Sequence, residues 1–355
     1  MYLQQKLIAN LQQSNVLSQK GLIEMFDATI GRSTVLMPFG GKYQRSESQV
    51  SVQKIPVGNH FTNTASMMAY GYNPDVSSWS PYHGAQYAVI EVITKIVAAG
   101  GCYNNIRFSF QEYFEKMTQN PFSWGKPTAA LLGALQMQHD FKLAAIGGKD
   151  SMSGTFQNIN VPPMLMAFGI TKVDAKNVIS TDLKSAGNNL YLIKHTPETD
   201  FLPNVEQLKK NYDFISQKIE NQNIVSAWAV GFGGVAEAIC KMAFGNEIGV
   251  FLEQGTKNKE QGTKNKEQGT KNKEQRTKNK EQRQEGITEE DLFNLSYGSV
   301  VIETPKELDY ERAVFIGKTI SEKVIKTDSE SIDLNTLYKA NTEKFAEIYP
   351  ITTEK

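Results

Sequence analysis

The sequence predicts a two-domain protein of layered helices and strands, α/β or α+β in class. Three observations lead there. The chain has 355 residues, which favours two domains of ordinary size. Its hydrophobic content of 40% is enough for real cores. Segments of strand and helix length alternate on both sides of a polar, turn-rich stretch at about 175–187.

Residues 1–25 read as a polar amphipathic helix whose apolar members are Leu3, Leu7, Ile8, Leu11 and Leu22. TIGRSTVLMPFGGKYQ predicts a strand and then a glycine turn at Gly40–Gly41. The nearly continuous apolar run from Gly84 to Ala99 predicts a buried helix. A second helix is expected over 127–141, opened by Pro127 at its first position. Val161 to Val173 reads as a strand behind a Pro-Pro entry. Beyond the boundary, strands are expected at Leu190–Lys194, 248–252, 298–303 and 313–317, and the turn GFGG at 231–234 leads into a helix over Val235–Phe244.

Residues 253–280 are four copies of a seven-residue unit, EQGTKNK three times and then EQRTKNK, with no apolar residue. A heptad period without apolar positions cannot fill a coiled-coil seam. The segment is expected to be a disordered surface insertion between two strands, with a basic interaction arm as the sharper alternative. From Glu253 to Arg283 ten Lys or Arg stand against five Glu, so this segment carries +5 and the rest of the chain −5.

The formal net charge is zero, and nothing suggests a nucleic-acid or membrane partner. No run of apolar residues is long enough to span a bilayer, and MYLQQKLIANLQQ does not have the form of a signal peptide. Two cysteines, Cys102 and Cys240, argue against a disulfide scaffold and for a cytoplasmic setting. The histidines His60, His83, His139 and His195 lack metal-ligand spacing. Only His83, in WSPYHG, has an unusual setting, and a hydrogen-bonded loop histidine is the expected reading.

The stretch AAIGGKDSMSGTF (144–156) carries the clearest chemistry. A glycine pair lets backbone approach an anion closely, and Lys149 adds a point charge for phosphate. Asp150 is a candidate metal ligand, and the hydroxyls of Ser151 and Ser153 can bond phosphate oxygens. The spacing is not that of a Walker A loop. By pattern alone a tight turn with a solvated lysine is an equal reading.

The string GGKDSMS resembles the second-half loop of the large synthetase type of phosphoribosylformylglycinamidine synthase. FDATIGRSTVLMPFGGKYQ, WSPYHGAQYAVIEVITKIVAAGG, IRFSFQEYFEK, WGKPTAALLGALQMQ and GFGGVAEAICKMAFGN resemble the same family, in its order, over about 18–320. The resemblance implies an α+β fold like that of aminoimidazole ribonucleotide synthetase. It implies a domain over 18–178, whose sheet forms a barrel-like interface with an equivalent domain, and a second domain over 187–345. Residues 1–17 would be an N-terminal helix or linker, and 253–285 an insertion.

It also implies a reaction. ATP phosphorylates the amide oxygen of formylglycinamide ribonucleotide, and ammonia from glutamine displaces phosphate to give the amidine. In the family the catalytic histidine and most Mg²⁺ ligands lie in a first copy of the unit. The second copy lends its loop, so this chain resembles a ligase half expected to be inactive alone. The first half and the glutaminase domain, expected after Lys355, would be its partners. Gly147, Gly148 and Lys149 would lie by the nucleotide, with Lys149 and Ser151 as catalytic residues and Ser151 and Ser153 toward the ribonucleotide. Relatives of shorter architecture have Asn in place of Lys149, so the lysine meets phosphate directly rather than a metal. Arg107–Tyr113 aligns with a segment feeding the nucleotide side, with Ser109 where some relatives have Asp, and Gln111 and Glu112 as polar candidates.

Some members hold a second, structural nucleotide with its metal. Here Ser18-Gln19 replaces an opening Ser-Lys, with Lys20 displaced by one. Asn63 and Phe232 replace aspartates, and Lys95 replaces an asparagine. Glu91 alone survives as a metal-ligand candidate, one helical turn before Lys95. Loss of Mg-nucleotide binding at this auxiliary site is expected. The competing reading of the whole chain is a catalytically silent scaffold half. Selenophosphate synthetase or thiamine-phosphate kinase is a third, but an acidic metal cluster for it is not found.

Overall fold

The computed structural model describes residues 2–26, 33–253 and 286–354. The N-terminal segment is two helices rather than one, α1 (Leu3–Leu11) and α2 (Lys20–Ile23). The reason is a buried side chain from the far end of the chain. Asn341 Nδ2 donates to the carbonyls of Leu11 (3.1 Å) and Val16 (2.9 Å), satisfying groups that a continuing helix would have claimed. The strand expected around Thr29 falls partly outside the described residues. The glycine turn after it belongs to a short hairpin of β1 (Phe39–Gly40) and β2 (Ser46–Glu47), with Gly41 at φ +83°.

A five-stranded mixed sheet comes next. It contains β3 (Ser51–Lys54), β4 (Thr64–Gly71), β5 (Arg107–Tyr113), β6 (Ala144–Lys149) and β9 (Met164–Asp174), in the order β3-β4-β9-β5-β6. Within it only the edge pair β5–β6 is parallel. A two-stranded ribbon, β7 (Thr155–Phe156) and β8 (Ile159–Asn160), lies beside it. Helix α3 (Pro74–Trp79) leads into α4 (Pro81–Ala98), which Ser80 caps and Pro81 opens. Helix α4 packs on the sheet with one side and on the second half of the molecule with the other. Ile90, Ile93 and Ile96 are fully buried, and one core cluster runs from Val52 and Met67 through α4 to Tyr212 and Ile302. Burial on two sides is why its sequence is apolar nearly all round. Thr94 Oγ1 and the Tyr212 hydroxyl, 2.7 Å apart, satisfy each other inside this core.

Helix α5 (Pro121–Phe141) begins earlier than the sequence suggested. Asn120 caps it by accepting from Phe122 N, and Pro121 rather than Pro127 takes the opening position. Pro127 lies inside the helix, where its missing N–H leaves the Ser123 carbonyl without its usual partner.

The second half is a seven-stranded sheet around β10 (Asn189–Ile193). Its other members are β11 (Ser226–Ala229), β12 (Gly249–Leu252), β13 (Val300–Thr304), β14 (Ala313–Ile320), β15 (Val324–Lys326) and β16 (Ser331–Asp333). The order is β11-β13-β10-β14-β12-β15-β16, with β12–β15 the parallel pair. Helix α6 (Val205–Glu220) joins the shared core through Tyr212. Helix α7 (Gly234–Phe244), buried along its whole length, is covered by α1 and by the helix Leu334–Ala346. Cys240 lies within it, its thiol pushed up to about 12 by burial and by Glu237. The polar stretch before β10 is anchored by buried Glu303, which accepts from Lys184 N (2.8 Å) and Asn188 Nδ2 (2.7 Å). The heptapeptide repeats lie outside the described residues. Their flanks meet, since Ile287 N donates to Glu253 O at 3.1 Å.

His195 is buried and fixed in one tautomer. Its Nδ1 donates to Tyr297 O (2.7 Å), and its Nε2 accepts from Asn204 N (3.1 Å). Burial lowers its pKa, with the bond to Tyr297 opposing. The unfolded chain therefore takes up a proton that the fold refuses. Stability from this group is complete above the ordinary histidine range, at about pH 6.5, and is lost as pH falls below it. Unfolding free energy should fall from pH 7 to pH 5, and His195→Gln should make that fall shallower. Equal slopes in both proteins would contradict this assignment.

Candidate functional site

The GGKDSMS loop is the end of strand β6 and the turn after it. Strand β6 is the last strand of its sheet and is solvent-exposed along its length. Pairing with β5 sets Ser109 opposite Gly147, Phe110 opposite Gly148 and Gln111 opposite Lys149, after an irregularity between Phe108 and Ser109. Both glycines have a local reason. Gly147 has φ +155°, and a Cβ on Gly148 would lie 2.4 Å from the Phe110 carbonyl oxygen. The turn folds back on β5, with Ser151 N donating to Glu112 O (3.1 Å) and Phe114 N to Ser151 O (3.0 Å). Ser151 Oγ and Ser153 Oγ are 3.0 Å apart, so these hydroxyls act as a pair. The predicted loop residues and Ser109 thus gather at one sheet edge, with Lys149 and Asp150 exposed there.

Glu112 stands out more than the sequence suggested. Side chains alternate along RFSFQEY, which puts Glu112 on the core face with Phe108 and Phe110. It is buried, and its Oε1 has no hydrogen-bond partner among the described residues. Burial, and then the charge of Asp150, pushes its carboxyl up to about 7. A carboxyl that changes protonation near neutrality lies directly behind the loop. Among the described residues no group of three His, Cys, Asp or Glu could hold a metal.

The residues assigned to an auxiliary site mostly do converge. Gln19, Glu91, Lys95 and Phe232 line one cleft of about 620 Å³ between the two sheets; Asn63 does not. Both oxygens of Glu91 are taken, Oε1 by Lys95 (2.7 Å) and Oε2 by Tyr72 N (3.1 Å). Lys95 also donates to Tyr70 O at 2.9 Å. These contacts fasten α4 to the end of β4 and pair the Glu91 carboxylate with an ammonium where a metal ion would sit. Lys20 is turned away and buried, bound to Gln44 O (2.9 Å) and Glu354 (2.5 Å). On the cleft floor Lys241 bridges Glu47 and Glu237, at 2.9 Å from each. Sequence reasoning missed this triad because its members come from β2 and α7, far apart in the chain.

His83 is a structural residue. Its Nδ1 lies 2.8 Å from Ser80 Oγ and its Nε2 3.0 Å from Asp200 O, tying the start of α4 to the turn before α6.

A five-stranded mixed sheet and a second seven-stranded sheet packed across one long helix define an aminoimidazole-ribonucleotide-synthetase-like unit, of the class that includes PurL and thiamine monophosphate kinase. The sequence relatives of this chain are PurL, a subunit of phosphoribosylformylglycinamidine synthase. Over 267 residues it is 26% identical to PurL of Picrophilus torridus, an alignment covering 68% of this chain and 34% of that protein. Over 261 residues it is 23% identical to PurL of Thermoplasma acidophilum, covering 67% and 33%. The chain spans about a third of the length of these curated relatives. Among solved structures, phosphoribosylformylglycinamidine synthase II from Thermotoga maritima superposes on 96% of this chain and 53% of its own, with a TM-score of 0.66 and 11% identity. Thiamine monophosphate kinase from Aquifex aeolicus superposes on 79% of this chain and 94% of its own, with a TM-score of 0.50 and 11% identity. No family model matches the chain. No helix among the described residues is long and apolar enough to cross a membrane.

Proposed function

We propose that the chain is the second synthetase-like unit of a phosphoribosylformylglycinamidine synthase, taking part in the ATP-dependent conversion of formylglycinamide ribonucleotide to its amidine. The observation that carries this is the placement of GGKDSMS on an unpaired sheet edge. A loop fully exposed on one side supplies half of a site, and the relatives are about three times as long as the match. The T. maritima PurL has been solved with ATP and with FGAR, which supports both as ligands of the assembled enzyme.

In this reading Gly147 and Gly148 bring backbone close to the nucleotide, and Lys149 meets the charge that builds on the transferring phosphoryl group. The Ser151 and Ser153 hydroxyls bind and orient the ribonucleotide. Mg²⁺, where the assembled enzyme uses it, would neutralise phosphate charge from the other unit, since the residues described here do not make a metal site. The experiment is reconstitution. Purified chain with ATP, substrate and ammonia should give no amidine, while addition of a separately produced first unit should restore turnover. Product from the chain alone would overturn the half-site reading. If the complex turns over but is indifferent to every loop substitution, the scaffold reading is correct instead.

This reading calls for a surface that meets the first unit, and exposed apolar side chains of the same domain support one. Leu131, Leu132 and Leu135 on α5 are each more than half exposed, and Ile146 on the edge strand β6 is 72% exposed. An apolar patch next to an open strand edge drives association. In this reading it pairs with the equivalent domain of the first unit and closes a barrel-like interface. Isolated chain should therefore sediment as dimers or larger species, and Leu132→Glu with Ile146→Glu should convert it to monomer. A wild-type monomer at high concentration would count against this surface.

A further inference from the structure

We propose that the cleft between the two sheets, where Lys95 and Lys241 are each held by carboxylates and aromatic rings form the wall, binds an uncharged planar molecule of nucleoside size without a metal ion. The family resemblance implies a metal-bound nucleotide at this position, and the residues present do not fit one. Glu91 spends both oxygens on Lys95 and Tyr72 N, and Phe232 stands where an aspartate would coordinate.

Charge decides the class of ligand. Among the described residues the charged side chains lining the cleft are Glu47, Glu91 and Glu237 against Lys95 and Lys241, a net charge of −1. Neither ammonium is free to meet a phosphate. Lys95 is held by Glu91 and Tyr70 O, and Lys241 by Glu47 and Glu237. Each phosphate added to a ligand therefore brings negative charge into a site whose described residues include no uncommitted cation.

Size and surface point to a heterocycle. The volume of about 620 Å³ is that of a small-molecule pocket. Lys95 already lies over the Tyr70 ring, 4.6 Å from its centre, so Phe168 and Phe232 are the faces against which a planar molecule can stack. Asn15 and Gln19 at the rim make no side-chain hydrogen bond among the described residues and can read its polar edge. The site is separate from the GGKDSMS loop, so it stands or falls independently of the proposed reaction.

The test uses the whole chain, with calorimetric titration of adenosine, AMP and ATP in the presence and absence of Mg²⁺. Adenosine should bind, AMP should bind at least about tenfold more weakly, and Mg²⁺ should rescue neither AMP nor ATP. Lys95→Asn combined with Phe232→Asp frees Glu91 and adds a carboxylate, and this variant should instead prefer ATP with Mg²⁺. Should the pair fail to fold, Phe232→Asp alone, which leaves the Glu91–Lys95 bridge intact, should weaken adenosine. Tighter binding of Mg-ATP than of adenosine by the unaltered chain would overturn the proposal. So would no adenosine binding up to its solubility limit, or an adenosine affinity indifferent to Phe232→Asp.

Discussion

Lys241→Ala should destabilise the chain by about 3–5 kcal/mol at pH 7, lowering the melting temperature on the order of 10 °C. Lys241 is 3% exposed, and its ammonium lies 2.9 Å from both Glu47 and Glu237. Burial alone would depress its pKa, but the two carboxylates outweigh that and raise it, so the side chain is charged at pH 7. Removing it leaves two carboxylates facing each other with no counter-charge, and one of them, Glu237, is buried and also holds Gly233 N (2.8 Å) at the start of α7. The pH dependence identifies the cause. Without the lysine two like charges face each other at the start of α7. The variant should regain stability as pH falls toward the carboxylate range, in contrast to the native chain. Adding Glu237→Gln to Lys241→Ala should restore part of the loss. A melting temperature within a degree or two of wild type would mean that the triad is not a structural keystone.

The parts of the fold that rest on local pattern were legible. The apolar run Gly84–Ala99 and the turn GFGG gave α4 and α7 within a few residues, because caps and glycine turns are local chemistry. What was illegible depended on distant partners. Asn341 divides the N-terminal helix from more than 300 residues away in the chain. Pro127 read as a helix start because an Asn-Pro pair six residues earlier could not be weighed against it without the fold. Strand β4 and helix α6 went unread, the first because TASMMAYG alternates weakly, the second although Val205, Leu208, Tyr212, Ile215 and Ile219 recur at helix spacing and carried the signal.

The site divides in the same way. GGKDSMS is contiguous, and its residues stayed together at the edge of the sheet. Glu112 was only one of two polar candidates in its segment. The alternation Phe108, Phe110, Glu112 was the available signal, since a carboxylate in phase with two core phenylalanines is forced into burial. The Lys241 triad offered no such signal. Glu237 and Lys241 have helix spacing, but Glu47 arrives from a hairpin that only the assembled molecule brings near.

In a reconstituted enzyme, Lys149→Ala should reduce turnover by about 10²–10³ while leaving the melting temperature of the chain unchanged. The two halves of that expectation come from different observations. Lys149 is exposed and makes no ion pair among the described residues, so the isolated fold does not depend on it. Its place after Gly147 and Gly148, at the end of the sheet's edge strand, presents its charge outward, where the partner unit would hold the transferring phosphoryl group. A preorganised ammonium acts there on charge present only in the transition state, so the loss should fall on kcat more than on KM. Glu91→Ala is the matched control. Its carboxylate is largely buried and fastens Lys95 and Tyr72 N, so its removal should lower the melting temperature and leave turnover per folded molecule intact. Measuring both properties for both variants separates chemistry from architecture. If Glu91→Ala abolished turnover at unchanged stability, the cleft would be serving the reaction. If Lys149→Ala turned over at the wild-type rate, the loop would be a scaffold and the charge on the phosphoryl group would be met entirely by the other unit.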